Sequence, residues 1–418
     1  MTTHTHQPPL HLFDAFGVEA EYMIVDKETL DVLPVSDRLL TAAHGYLTQQ
    51  TTRGPLCWSN ELVLHVIELK TNGPVPHLSG LHRDFQHGIH DVNRLLDREN
   101  AMLLPGGTHP WMNPFTQTRL WPHNDAEIYQ AFNRVFDCRG HGWSNLQSIH
   151  LNLPFCGDQE FVLLHTAIRL ILPLLPALAA SSPFLDSTFS GYHDARMETY
   201  RHNCRRIPSI SGHIIPEPVT SVENYQSTIL NPIYADLSPY DPEKILQEEW
   251  VNARGAIARF DRNTIEIRVL DVQECPAIDC AILEFTVALL QWLIEKITSN
   301  LPRYRDWPVQ PLAALFVKAI RNSLDAPIDD PQYLQLFEYP GNDQTTFRHL
   351  LRHIIPQLPR LPRDARDQLH FILDHGTLAQ RLLQSIGPAP THDTLQHTAR
   401  QLARCLQDGI PYRPSNNG

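Results

Sequence analysis

An α+β fold is what this chain of 418 residues predicts, and three features carry that expectation. Strand-like alternation of apolar and polar residues recurs in the distant segments 16–24, 149–153 and 265–269. From about Phe16 to Val272 such segments are interleaved with helical ones and punctuated by turn formers at Pro105-Gly106-Gly107, Asn113-Pro114 and Asn231-Pro232. Beyond them apolar residues recur at three- and four-residue spacing, the period of a helix packed on one side.

In the first alternating segment Phe16, Val18, Ala20, Tyr22 and Ile24 share one face, so Glu19 and Glu21 project side by side from the other. Segment 60–71 reads as a further strand carrying Glu61 and Glu68. Their offset of seven puts them on opposite faces unless a bulge or a helical turn intervenes. Ile149, Leu151 and Leu153 oppose His150 and Asn152, and Ile265, Ile267 and Val269 oppose Glu266 and Arg268. Helices are expected over 282–299, 312–323, 347–356, 363–375 and 391–407. Asn300-Leu301-Pro302 is suited to ending a helix and divides residues 1–300, with a flexible arm over 1–12, from an all-helical region over 301–418.

Composition narrows the function. Forty-six acidic residues against 34 basic ones, net charge −12, and no dense Lys/Arg cluster argue against a nucleic-acid partner, which requires a basic face. Seven scattered cysteines without a C-x-x-C pair encode neither a disulfide framework nor a zinc ribbon. The N-terminus lacks a basic start and an apolar stretch, so no signal peptide is expected. The most apolar run, 163–180, is interrupted by His165 and Arg169, which argues against a membrane span. The expectation is a cytoplasmic protein; the oligomeric state is left open, with a homodimer compatible.

Two readings fit the polar strand faces. One is the wet face of an antiparallel sheet, where charged residues also alternate. The other is a metal site. Glu, His, Asn and Arg are ligands and phosphate binders, and adjacent glutamates with no nearby basic residue in sequence repel each other unless a cation lies between them. Mg²⁺ or Mn²⁺ suits such oxygen-rich sets and commonly bridges carboxylates to nucleotide phosphates. On the bland reading Glu61 and Glu68 are surface acids, His150 is a packed histidine and Arg268 is the partner of Glu266 in a surface ion pair. On the functional one Arg268 faces a transferring phosphoryl group and Glu266 holds the metal.

Taken together, Gly17-Val18-Glu19-Ala20-Glu21, Glu61 and Glu68 followed by Thr71, Ile149-His150-Leu151-Asn152, and Arg259-Phe260 leading into the segment from Ile265 to Asp271 resemble the glutamate–cysteine ligase family, including its second-type carboxylate–amine ligases. The resemblance spans roughly residues 16–290. It implies a glutamine-synthetase-like fold, a curved and mainly antiparallel sheet funnel with helices on its outer side. It also implies two or three Mg²⁺ or Mn²⁺ ions on Glu19, Glu21, Glu61, Glu68, His150 and Glu266, with Arg268 on phosphate. ATP would enter one end of the funnel, and small-molecule amino acid substrates the other. Catalysis rests on Arg268 and Glu266.

Arg196, in a stretch similar to a family element that contacts a carboxylate, is the expected clamp on the acid substrate, with Asn152 also at the substrate. A surface arginine is the competing reading, and Tyr200 is expected to pack. Two departures stand out. Ala195 occupies a position where relatives have serine, and Asn152 one where many type-two relatives carry a second histidine. The implied reaction is ATP-dependent amide formation through an acyl phosphate, with cysteine among the candidate amines. A metal-dependent amide hydrolase and a non-catalytic nucleotide-binding relative are the alternatives.

Overall fold

In the computed structural model, which describes residues 9–341 and 344–414, the alternating segments pair into one sheet. Its strands are β1 (Gly17–Asp26), β2 (Gln50–Arg53), β3 (Leu56–Asn60), β4 (Val66–Thr71), β5 (Ala101–Leu104), β6 (Ser148–Pro154), β7 (Ala256–Arg259) and β8 (Thr264–Asp271). Their order is β2-β3-β4-β1-β6-β8-β7, with β5 paired to the second half of β1, and each of these pairings is antiparallel. The mainly antiparallel expectation is borne out.

The apolar face of the sheet meets helices. Val18, Ala20 and Tyr22 of β1, Ile149 and Leu151 of β6, and Ile265 and Ile267 of β8 join one buried cluster. That cluster includes Phe85 and Ile89 of α1 (Leu81–Leu96), Phe161 and Ile168 of α2 (Gly157–Ile171), and Ile282 and Phe285 of α4 (Pro276–Ile297). A shorter helix, α3 (Ala195–Asn203), starts at Asp194, whose side chain caps it by accepting from the Met197 amide. Because the helices consume the apolar face, the opposite, polar face is left to line a site.

The C-terminal third follows the periodicity with several additions, a short helix over Pro331–Leu336 among them. The helix α5 (Arg363–His375) has the expected bounds and packs on α4. α4 itself begins at Pro276, where proline suits the first helical position. Asn300 leaves helical geometry at φ −146°, ψ 49°, but a helical turn resumes over Leu301–Arg305, so the chain is interrupted there and not ended. A two-stranded ribbon, Pro327–Ile328 with Thr345–Thr346, corrects the all-helical expectation. A further helix, Leu378–Ile386, opens with a capping box between Thr377 and Gln380. The largest apolar cluster draws on residues from Phe16 to Leu406, and a smaller one gathers Phe184 with Leu378, Leu382, Leu395 and Leu402.

One helical stretch, 276–305, is long and apolar enough to cross a bilayer, where the sequence reading had singled out 163–180 instead. Some 78% of its most apolar window is buried against this chain, so its apolarity serves the core. The N-terminal arm falls mainly outside the described residues. His11 and the Leu12 amide are tied to the Glu160 carboxylate at 2.7 and 3.2 Å.

Glu284 of α4 offers a stability test remote from the polar face. Burial, followed by repulsion from Asp364, pushes its carboxyl up to about 7. A raised carboxyl binds its proton more tightly in the folded state, so this contribution is fully present below the unfolded value of about 4.3 and is lost as pH rises through about 7. Glu284→Gln is therefore expected to raise the melting temperature at pH 8 and to leave it unchanged at pH 4. An equal shift at both pH values would show that charge is not the cause.

Candidate active site

Cross-strand register assembles the polar face. Glu19 of β1 lies opposite His150 of β6 on one side and Lys70 of β4 on the other, and Glu21 lies opposite Glu68. Asn152 is opposite Glu266 of β8, and Ser59 of β3 opposite Glu68. Residues from five strands thus share one surface, since partners in a sheet project to the same side.

At its centre, His150 Nδ1 lies 3.5 Å from Glu19 Oε2 and 3.5 Å from Glu266 Oε1. The Ser148 hydroxyl donates to Glu21 Oε2 at 2.8 Å, so the same oxygen can only accept from His150 Nε2, 2.9 Å away. That fixes the proton on Nε2 and turns Nδ1 toward two carboxylates. Burial opposes charge on Glu19, yet the hydrogen bond and charge of His150 hold its carboxyl down to about 2. Asn152 Nδ2 donates to Glu19 Oε1 at 3.2 Å. Asn152, expected at the substrate, thereby orients Glu19.

Glu61 and Glu68 reach the same region by a route the sequence reading did not identify. Residues 60–71 are not one strand. β3 ends at Asn60, Glu61 begins the connection, and β4 starts at Val66 after a turn closed by the Val66 amide on the Val63 carbonyl at 3.2 Å, so the odd offset is absorbed between the strands and not by a bulge. Glu68 accepts from Ser59 Oγ at 2.6 Å and from Lys70 Nζ at 2.8 Å. Burial, then the charges of Glu68 and Glu21, push the Glu61 carboxyl well above its usual range. Although no basic residue is close to the first glutamates in sequence, Lys70 of β4 lies opposite Glu19 across the sheet.

Beside this face lies a cavity of about 160 Å³. Glu21, Glu61, Ser148 and His150 line it, as do Arg196, Tyr200 and Arg268, with Leu62, Val66 and Trp143 as apolar lining. Arg268 Nε is 3.0 Å from Glu266 Oε1, and Arg259 Nη1 is 3.3 Å from Glu266 Oε2. Arg196 and Tyr200 stand one helical turn apart on α3 and so face the same way. Arg196 is buried and not on the surface: its Nε bonds Asp271. Tyr200 is a lining residue of the cavity, and its buried hydroxyl has no hydrogen-bond partner among the described residues.

The donor set fits a hard divalent cation. Ligand atoms of Glu19, His150 and Glu266 lie within 4.8 Å of one another, a span that one ion can bridge. An imidazole lone pair directed at two carboxylates is unfavourable unless Nδ1 also gains a proton or all three groups share a cation. Glu61 lies outside that group of three; it lines the neighbouring cavity and makes no ion pair among the described residues. Ser59, Lys70, Ser148, Arg259 and Tyr200 are site members that sequence reasoning did not assign. Ser148 and Lys70 continue the alternation of His150 and Glu68 and were legible on that ground.

Known proteins resemble this chain in sequence and in fold. The family model for glutamate–cysteine ligase family 2 matches residues 15–401. An uncharacterized protein of Archaeoglobus fulgidus is 32% identical over 95% of this chain and 99% of its own length. A protein of a Bradyrhizobium species named "Putative glutamate--cysteine ligase 2" is 26% identical over 64% of this chain, a match spanning 59% of that relative. Among solved structures, the Francisella tularensis glutamate–cysteine ligase in complex with AMP superposes with a TM-score of 0.59 at 11% identity, covering 96% of this chain and 90% of that one. A bifunctional glutathione synthetase from Pasteurella multocida gives 0.57 at 14% identity, covering 93% and 53%. The fold is therefore that of glutamate–cysteine ligase structures. With a family match over most of its length and that fold, the chain belongs to glutamate–cysteine ligase family 2, a family of ATP-dependent ligases.

Proposed function

We propose that this enzyme joins the carboxylate of glutamate or a related acid to an amine, cysteine among the candidates, with ATP converted to ADP and phosphate. The observation that supports this most directly is the meeting of Glu19, His150 and Glu266 within 4.8 Å, next to Arg268. In this reading Glu19, Glu21, Glu61, Glu68, His150 and Glu266 hold Mg²⁺ or Mn²⁺, which when bound neutralises triphosphate charge.

The substrate carboxylate oxygen bonds the terminal phosphorus as the bond to ADP breaks, giving an acyl phosphate. The amine, freed of one proton from its ammonium form, then bonds the acyl carbon; phosphate leaves with the electron pair of its C–O bond, and the nitrogen gives a second proton to solvent. No side-chain nucleophile is required, so alignment and charge are what the protein supplies. Arg268 meets the transferring phosphoryl group, Glu266 sets its direction, and Asn152 keeps Glu19 in place. Arg196 binds the carboxylate of the acid that does not react. A cytoplasmic setting accords with seven cysteines that are all free thiols.

Purified protein given ATP, Mg²⁺ and glutamate is expected to release phosphate in proportion to an added amine. No release with any amine of a broad panel, or amide chemistry that proceeds without nucleotide, would overturn the proposal.

A further inference from the structure

Asp271 ends β8 three residues after Arg268, and the parity of a straight strand would turn it to the apolar face with Ile265 and Ile267. It does not go there. Ile267 pairs with Leu151 but Leu270 pairs with Ile149, so β8 spends an extra residue over Arg268–Val269. This bulge resets the alternation: Leu270 rejoins the core and Asp271 falls opposite Ser148, on the side of His150.

The re-aimed carboxylate is fully buried and fully engaged. Its Oδ2 accepts from the Ser181 amide at 2.9 Å, Ser181 Oγ at 3.3 Å and Ser182 Oγ at 2.7 Å, while Oδ1 accepts from Arg196 Nε. Ser182 Oγ in turn accepts from the Arg196 amide at 3.1 Å, so Arg196 is held at both its backbone and its guanidinium. Arg196 lines the cavity, and its two Nη atoms make only long bonds, at 3.4 and 3.3 Å, to the Arg268 carbonyl. Gly107 completes the enclosure. A Cβ there would meet the Asp271 carboxylate at 2.5 Å, so no side chain fits beside it.

From this we infer that Asp271 is a positioning residue: it fixes Arg196 so that the Nη edge, and not Nε, is offered to a carboxylate in the cavity. This rests on the carboxylate-binding role proposed for Arg196. A buried ion pair that merely fastened α3 to the sheet would contribute to stability alone.

Asp271→Asn keeps an acceptor but removes the charge, and Gly107→Ala keeps the charge but displaces the carboxylate. Both are expected to raise KM for glutamate by about 10- to 100-fold, as small misplacements of binding groups do. KM for ATP should stay within about twofold, and calorimetry with glutamate as the probe should show the matching loss of affinity. Asp271→Glu in the Gly107 background should recover less than wild type, because the longer side chain has no room. If both variants lower the melting temperature while KM for glutamate is unchanged, Asp271 is a structural fastener and the inference is overturned. If the wild type neither binds nor turns over glutamate or related acids, the carboxylate role of Arg196 fails first and the inference falls with it.

Discussion

Arg268→Ala is expected to cut ATP-dependent phosphate release by about 10³-fold or more, the scale on which a single arginine acts in phosphoryl transfer. Arg268 is the cavity-lining guanidinium that stands 3.0 Å from Glu266, and its side chain is only 25% exposed, so its charge is little screened. The fold should persist, because Glu266 keeps Arg259 at 3.3 Å and the neighbouring core residues Ile267 and Val269 are untouched. Arg268→Lys should recover only part of the loss, since an ammonium carries the charge but not the planar fork. The measurement is coupled ADP release beside circular dichroism and thermal melting. Activity within tenfold of wild type in a folded Arg268→Ala protein would remove the arginine from the chemistry.

The second large effect is on metal affinity. Glu19→Gln preserves volume and can still meet Asn152, but it withdraws one of two carboxylates facing His150 Nδ1. Loss of even an outer-shell partner costs about 10- to 100-fold in metal affinity, so Mn²⁺ binding, followed by calorimetry or electron paramagnetic resonance, should weaken at least that much. Turnover should fall with it and be restored in part by excess Mg²⁺. Wild-type Mn²⁺ affinity in this variant would take Glu19 out of the ligand set.

How far the sequence could be read depended on local periodicity. Alternation alone placed Glu19 with Glu21, His150 with Asn152 and Glu266 with Arg268, because side-chain direction in a strand is set by parity. The helix over 363–375 was legible for the same reason at the helical period. Parity failed where the chain leaves regular geometry. The odd offset of Glu61 and Glu68 does not fit a straight strand and is absorbed in the connection between β3 and β4, and the bulge at Arg268–Val269 hid the direction of Asp271. Tyr200 and Arg196 are on one face of α3, a pairing visible at i and i+4, but which surface that face would meet was not encoded locally.

The order and faces of the strands, the helical C-terminal third and the residue types of the site were determined by the sequence itself, since each rests on a repeat within a few residues. Which strands become neighbours was decided only in three dimensions. Glu19 meets His150, Lys70 and Glu266 through pairings between segments far apart in the chain. Such contacts depend on the burial of the opposite, apolar face, a property of the whole sheet and its helices and of no single stretch.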